Sequence, residues 1–318
     1  MKIVVLDGHA VNPGDLSWDI IRKFGQLEVY DYTAPDQTIP RLQGATVALT
    51  NKTVINAQVL AACPCIKLVC VLATGYNVVD CTAAKERNIP VCNVPAYGTD
   101  AVAQFTFALL LELCHQVGHH NKAVHDGRWT QNRDFCFWDT PQMELAGKTM
   151  GIIGFGRIGR AVGRIANAMG MNVIAYNRSR CHEGEAIGQY VDLNTLLKTA
   201  DVISLHCPLT DENAEMINVK TLALMKDGAI LLNTARGPLL DEQAVADALI
   251  SGKLRGAAVD VASREPMSAS NPLLTAPNCI ITPHMAWAPT ESRQRILECT
   301  ARSIMAFLAG SPINTVNM

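Results

Sequence analysis

The chain has 318 residues, a formal net charge of −2 and no basic run; the length suggests two domains, and the charge balance speaks against nucleic acid as the main partner. Its 11 cysteines are scattered among apolar neighbours, as at Cys70, Cys92 and Cys279, which fits a reduced, cytoplasmic protein rather than a disulfide framework. No signal peptide is expected, because Lys2-Ile3-Val4-Val5-Leu6 reads directly as a strand; the longest apolar stretch, residues 105–114, is too short for a bilayer and contains Glu112, so no membrane partner is expected either.

Apolar runs at residues 2–6, 27–30, 47–49, 68–72 and 89–91 alternate with helical patterns at 16–24, ending at Gly25, and at 56–62. Strands alternating with helices imply a parallel sheet covered on its faces. Ala73-Thr74-Gly75-Tyr76-Asn77 follows the fourth run, at a carboxyl edge where open α/β sheets bind ligands, although it also reads as a plain turn. Residues 101–113 predict a helix apolar nearly all round and therefore buried on several sides. Trp129, Phe135, Phe137 and Trp138 then crowd an aperiodic segment. Such an arm suits a second subunit better than water and predicts a homodimer; the alternative is an arm folded onto its own domain. Two metal-like groupings, Cys63-Pro64-Cys65 and the pair His115 and His119, lack further ligands, and no metal is expected.

The strand–helix alternation restarts at Met150. Strand candidates at 150–153, 173–176, 202–205, 229–233, 256–259 and 279–281 are joined through helical patterns at 158–169, 193–199, 220–225 and 241–251, and a last helix spans 290–308. Six strands in this cadence predict a doubly wound dinucleotide-binding domain. Its first turn reads Gly154-Phe155-Gly156-Arg157-Ile158-Gly159. There Gly154 permits the tight bend, Gly156 admits a pyrophosphate to the helix N-terminus, and Gly159 lets helix and strand pack closely.

About twenty residues past such glycines an Asp or Glu usually holds both ribose hydroxyls of NAD. The second strand ends here in Asn177-Arg178-Ser179-Arg180. A carboxylate would repel a 2′-phosphate, whereas guanidinium groups and a hydroxyl bind one, so NADPH is favoured over NADH. Asn177 can still bond a 2′-hydroxyl, and both arginines also read as solvated surface charges.

Three later strands release polar residues at the same edge: Thr234-Ala235-Arg236 after 229–233, Asp260 and then Glu265-Pro266 after 256–259, and Pro283-His284 after 279–281. Reduction of a 2-oxo acid needs a proton for the developing alkoxide, and a histidine is the natural donor. His284 is assigned that role, with Glu265 beside it favouring the imidazolium. Arg236 supplies a planar fork for a carboxylate and polarises the carbonyl, and Asp260 is placed to accept from a nicotinamide amide. His206, after the strand at 202–205, is the rival proton donor, and Cys207-Pro208 reads as a lip over the adenosine.

In Gly154-Phe155-Gly156-Arg157-Ile158-Gly159, Asn233-Thr234-Ala235-Arg236-Gly237, Val259-Asp260-Val261 with Glu265-Pro266, and Pro283-His284, the chain resembles the D-isomer-specific 2-hydroxyacid dehydrogenases over essentially its whole length. The resemblance implies catalysis by Arg236, Glu265 and His284, and a substrate carboxylate held by the Thr74 and Gly75 backbone. It also implies two doubly wound α/β domains with a cleft between them. One is a flavodoxin-like substrate domain (1–98 with 289–318), the other a Rossmann nucleotide domain (99–288). Met285-Ala286-Trp287, Ala101-Val102-Ala103-Gln104 and Asp134-Phe135-Cys136-Phe137-Trp138 are most similar to glycerate dehydrogenases (hydroxypyruvate reductases); Trp287 would wall a pocket for small substrates such as hydroxypyruvate. Glyoxylate or another 2-oxo acid is the alternative substrate. A dinucleotide-sensing, corepressor-like module is the alternative of another class.

Overall fold

A computed structural model describes residues 1–318, and the chain in it divides into two units, Met1–Gly98 with Trp287–Met318 and Thr99–Ala286.

In the first unit, β1 (Lys2–Val5), β2 (Gln26–Val29), β3 (Val47–Thr50), β4 (Leu68–Val71) and β5 (Val91–Cys92) form a wholly parallel sheet in the order β2-β1-β3-β4-β5. Every residue of β3 and β4 is buried, which is why these strands are continuous apolar runs rather than alternating ones. β5 starts only at Val91 because Pro90 has no N–H to give to a ladder. The helices are α1 (Asp19–Arg22), α2 (Thr38–Leu42), α3 (Ala57–Ala62) and α4 (Cys81–Glu86). Asn56 and Asp80 cap the last two, accepting from the N–H groups of Val59 and Ala83.

α1 is far shorter than the pattern over 16–24 predicts. The Asn12 side chain accepts from the N–H groups of Gly14 and Leu16 and donates to the Leu16 carbonyl, holding the preceding segment as a loop. The helix begins only where Ser17 Oγ receives the Asp19 N–H.

The second unit opens with α5 (Thr99–His115) and α6 (Val117–His125). Phe107 and Leu110 of α5 are buried in one core with Ile152, Phe155 and Val162, as an all-round apolar helix requires. The aromatic segment after α6 is held largely to itself. Arg128 donates to Asp139 (2.6 Å) and lies 4.2 Å from the Phe137 ring centre, and Trp129 Nε1 donates to the Phe135 carbonyl (2.9 Å). His119 pairs with the same Asp139 and His115 with Gln142. Phe135 (89%), Trp138 (64%) and Trp129 (51%) nevertheless remain exposed.

The sheet that follows consists of β6 (Thr149–Ile153), β7 (Asn172–Tyr176), β8 (Gln189–Tyr190), β9 (Val202–Leu205), β10 (Ala229–Asn233), β11 (Leu254–Val259) and β12 (Cys279–Ile281). All are parallel, in the order β12-β11-β10-β9-β6-β7-β8. Its order reverses between β6 and β9, the switch point at which doubly wound sheets open a crevice. The sheet has seven strands rather than six, because β8 adds a two-residue edge beside β7. Its helices are α7 (Arg157–Ala168), α8 (His182–Glu185), α9 (Leu193–Thr199), α10 (Val219–Leu224) and α11 (Glu242–Ile250).

The chain then returns to the first unit as α12 (Thr290–Leu308), whose Ile296, Leu297 and Ile304 are buried with Ile3, Val5, Leu49 and Leu68. Arg293 of α12 makes a two-pronged ion pair with Asp15 (2.7 and 2.6 Å), and its guanidinium holds the Asp15 carboxyl below the usual range. No single helix is long and apolar enough to cross a membrane.

Candidate active site

The glycine turn sits between β6 and α7 at the switch point. Gly154 has φ +92°, and a Cβ there would also collide with the His206–Cys207 backbone beyond β9. A Cβ on Gly159 would meet the Gly154 carbonyl, so helix and strand approach as closely as they do only because residue 159 lacks a side chain. Gly156 differs: nothing lies within 4 Å of where its Cβ would be, and as N-cap of α7 it offers no side-chain oxygen to the first turn. Packing inside the protein therefore does not demand glycine at 156. The bare backbone opens outward beside unpaired helix N–H groups, a cradle that fits a dinucleotide pyrophosphate. Arg157 is exposed next to it, and Ile158 packs partly against the core.

Asn177, at the end of β7, is tied into this turn. Its Oδ1 accepts the Phe155 N–H (3.1 Å) and its Nδ2 donates to the Ser179 carbonyl (2.7 Å). A neutral amide thus braces the glycine turn against the Arg178–Arg180 loop, where all three residues are exposed. Arg180 lies 5.7 Å from the Tyr190 ring centre. On the other side of the turn, Asn213 Nδ2 donates to the Pro208 carbonyl (2.8 Å), fixing the Cys207-Pro208 segment. Burial pushes the Cys207 thiol up.

At the end of β10, Asn233 stays buried. It accepts from the Ala235 N–H (3.0 Å) and donates to the Arg236 carbonyl (2.8 Å), so the turn that presents Arg236 is fixed from within. The exposed Arg236 guanidinium donates to the Ala235 carbonyl (2.6 Å), and Thr234 Oγ1 lies 3.2 Å from Thr106 Oγ1 of α5.

Glu265 and His284 come together directly, Oε2 to Nδ1 at 2.7 Å, while Glu265 Oε1 accepts the Ala262 N–H (3.2 Å). A carboxylate only accepts, so Nδ1 carries the hydrogen and the proton-transfer role falls to Nε2. His284 has φ +53°, a left-handed conformation that costs a non-glycine residue about 1–2 kcal/mol. Asp260 accounts for it. Only 1% exposed, it accepts from Thr282 Oγ1 (2.6 Å), the Met285 N–H (2.9 Å) and the Ala286 N–H (2.9 Å). Three hydrogen bonds onto one buried carboxyl group hold the backbone on both sides of His284 in that conformation. The sequence placed Asp260 at a nicotinamide amide. Its oxygens hold the loop carrying His284, and Oδ2, with one bond, keeps a lone pair beyond that.

His206 is unlike His284. Its Nε2 lies 2.7 Å from Ser204 Oγ, and burial pushes its imidazole down to about 3. It is neutral near pH 7 and has no proton to give.

In the first unit, Thr74 and Gly75 lie just beyond β4. Asn93 Nδ2 donates to the Thr74 carbonyl (2.7 Å), Thr74 Oγ1 donates to the Val94 carbonyl (2.8 Å), and the buried Asn51 donates to the Leu72 carbonyl (2.9 Å). Asp7 in turn accepts the N–H groups of Asn51 and Thr53, each at 2.7 Å. Sequence reasoning missed these supports, although an Asp or Asn just past a buried strand is a visible signal. Trp287 belongs to this unit and meets Tyr97 edge-on, ring centres 6.3 Å apart.

Residues 107–286 match the family described as D-isomer specific 2-hydroxyacid dehydrogenase, NAD binding domain. The chain belongs to that family. Among curated members it is 53% identical to a hydroxypyruvate reductase of Blautia hydrogenotrophica, over the whole of both chains. It is 38% identical to a glycerate dehydrogenase of Methylorubrum extorquens, over 99% of this chain and 98% of that one. Solved structures of similar fold include an acyclic imino acid reductase (Bsp5) in complex with NADPH and D-Arg (TM-score 0.86, 31% identity, 99% of this chain and 100% of that one). Another is D-lactate dehydrogenase from Aquifex aeolicus complexed with NAD and lactic acid (TM-score 0.83, 30% identity, 100% and 99%). The D-2-hydroxyacid dehydrogenase is an oxidoreductase of small 2-hydroxy and 2-oxo acids that uses a nicotinamide coenzyme.

Proposed function

We propose that this dehydrogenase reduces hydroxypyruvate to D-glycerate with NADPH. The observation that carries the reading is the 2.7 Å pairing of Glu265 with His284 on a loop that Asp260 locks in a left-handed turn. The coenzyme supplies the hydride when bound. His284 gives a proton from Nε2 to the carbonyl oxygen, Glu265 orients the imidazole through Nδ1, and Arg236 binds the substrate carboxylate and polarises the carbonyl. Residues 99–288 act as the nucleotide domain. Gly154, Gly156, Arg157, Ile158 and Gly159 cradle the pyrophosphate, Cys207 and Pro208 cover the adenosine, and Thr234, Ala235 and Asp260 border the nicotinamide. Residues 1–98 with 289–318 act as the substrate domain, where the Thr74 and Gly75 N–H groups take the carboxylate; Trp287, two residues before its returning segment and edge-on to Tyr97, restricts substrate size. The name of the Blautia hydrogenotrophica relative supports hydroxypyruvate as substrate.

The preference for NADPH rests on Asn177. Its amide is spent on Phe155 and Ser179, leaves no negative charge against a 2′-phosphate, and is followed by exposed Arg178, Ser179 and Arg180. The exposed Trp129, Phe135 and Trp138 support a homodimer, which sedimentation at several concentrations tests. Eleven free cysteines support work in the reducing cytoplasm. The functional test is a panel of 2-oxo acids with each reduced coenzyme. Hydroxypyruvate with NADPH should give the highest kcat/KM; a higher value for glyoxylate, or for NADH, would overturn the corresponding part. Tight coenzyme binding with no turnover of any acid would point to a dinucleotide-sensing module.

A further inference from the structure

The loop that carries Glu265 is irregular from Ala262 to Asn271, and Glu265 itself is exposed, so something must hold its carboxylate at His284. The turn after Arg236 braces the start of this loop: a Cβ on Gly237 would collide with the Ala262–Ser263 peptide. The same peptide supplies the Ala262 N–H that holds Glu265 Oε1. One further side chain grips it. Glu242, the first residue of α11, turns back from its helix; Oε1 accepts the Ser263 N–H (2.8 Å), while Oε2 accepts Ser263 Oγ (2.6 Å) and Asn271 Nδ2 (2.8 Å). Asn271, 8% exposed, spends its Oδ1 on the Leu273 N–H (3.0 Å). Glu242 therefore fastens both ends of the loop, leaving Glu265 on a short closed span.

We propose that Glu242 is a positioning residue for catalysis: by clamping Ser263 and Asn271 it aims Glu265 at His284 Nδ1. The inference rests on the proton-donor reading of His284. A small displacement of the pair costs rate, because proton transfer depends on alignment to within about 1 Å, whereas substrate and coenzyme are bound by other residues.

Glu242→Ala should lower kcat for the best 2-oxo acid about tenfold, with KM and coenzyme Kd within about twofold of wild type. Glu242→Gln keeps an acceptor for Ser263 and should lose less; it carries the test if the alanine variant does not fold. In a Glu265→Ala background, Glu242→Ala should cost nothing further, as coupled residues require. A kcat within twofold of wild type for both single variants, or an equal loss in both backgrounds, overturns the proposal. A purely structural role would lower the thermal midpoint and leave kcat at low temperature unchanged, which also counts against it. A second readout needs no turnover: the hydrogen-bonded His284 Nδ1 proton, seen by NMR and assigned by its loss in Glu265→Ala, should broaden or vanish in Glu242→Ala. If wild type reduces no 2-oxo acid, the functional reading falls while this resonance still decides the clamp. An unchanged resonance overturns it.

Discussion

Replacing His206 by Gln separates the two histidines that end strands at the same sheet edge. Burial holds the His206 imidazole at about 3 in the folded chain, against 6.5 for the free group, so the native state binds fewer protons than the unfolded one as the solution is acidified. The stability this residue contributes is complete above pH 6.5 and is lost as pH falls toward 3. At pH 5 the unfolded chain gains about 2 kcal/mol from protonating this one group, and at pH 7 about 0.2 kcal/mol. Wild type should therefore lose about 2 kcal/mol more between pH 7 and pH 5 than His206→Gln, apart from any constant cost of disturbing the 2.7 Å contact with Ser204. Urea unfolding at the two pH values measures the difference, followed by far-UV circular dichroism. Because a neutral, half-buried imidazole does not serve as the acid, turnover at pH 7 should stay within about threefold of wild type. Parallel pH dependences of stability, or a hundredfold loss of kcat, would refute both the burial argument and the choice of His284.

His284→Ala should remove about 100- to 10,000-fold of kcat and leave coenzyme Kd nearly unchanged, as stopped-flow turnover and fluorescence titration would show. Gly156→Val, whose side chain enters open space, should weaken coenzyme binding about tenfold or more at a stability cost under about 1 kcal/mol, whereas Gly159→Val, driven into the Gly154 carbonyl, should cost about 1–3 kcal/mol or more in thermal unfolding. Asn177→Asp keeps an acceptor for the Phe155 N–H and adds a negative charge, so the kcat/KM ratio of NADPH to NADH should fall about tenfold or more.

The second sheet is legible in the sequence because its central strands are buried on both faces and its half-buried edge strand β12 is still a continuous apolar run. β9, β10 and β12 coincide with the apolar runs at 202–205, 229–233 and 279–281, and helix starts follow visible caps such as Asn56 and Asp241. What escapes is short or set from a distance. β8 is two residues of edge pairing, with only Tyr190 half-buried, and α1 is truncated by the side chain of Asn12. α6 has no buried residue and starts after Gln116 in a left-handed turn, so no apolar period announces it.

At the candidate site, residue types at strand ends are readable, but the direction in which each spends its hydrogen bonds is not. Asp260 and Asn177 look like ligand groups in the sequence, yet most of their polar atoms hold the protein's own loops: the turn of His284 for one, the glycine turn for the other. Glu242 looks like an ordinary acidic residue in a first helical turn, and only the fold reveals Ser263 and Asn271 on its carboxylate. The common reason is that Arg236, Glu265 and His284 all stand on loops, where backbone conformation is not set by a helix or strand ladder. Buried carboxylates and amides must supply that order instead. The backbone strain at His284 is therefore placed where Asp260 can offset it, and substitutions of such supports should reduce rate before they disrupt the sheet.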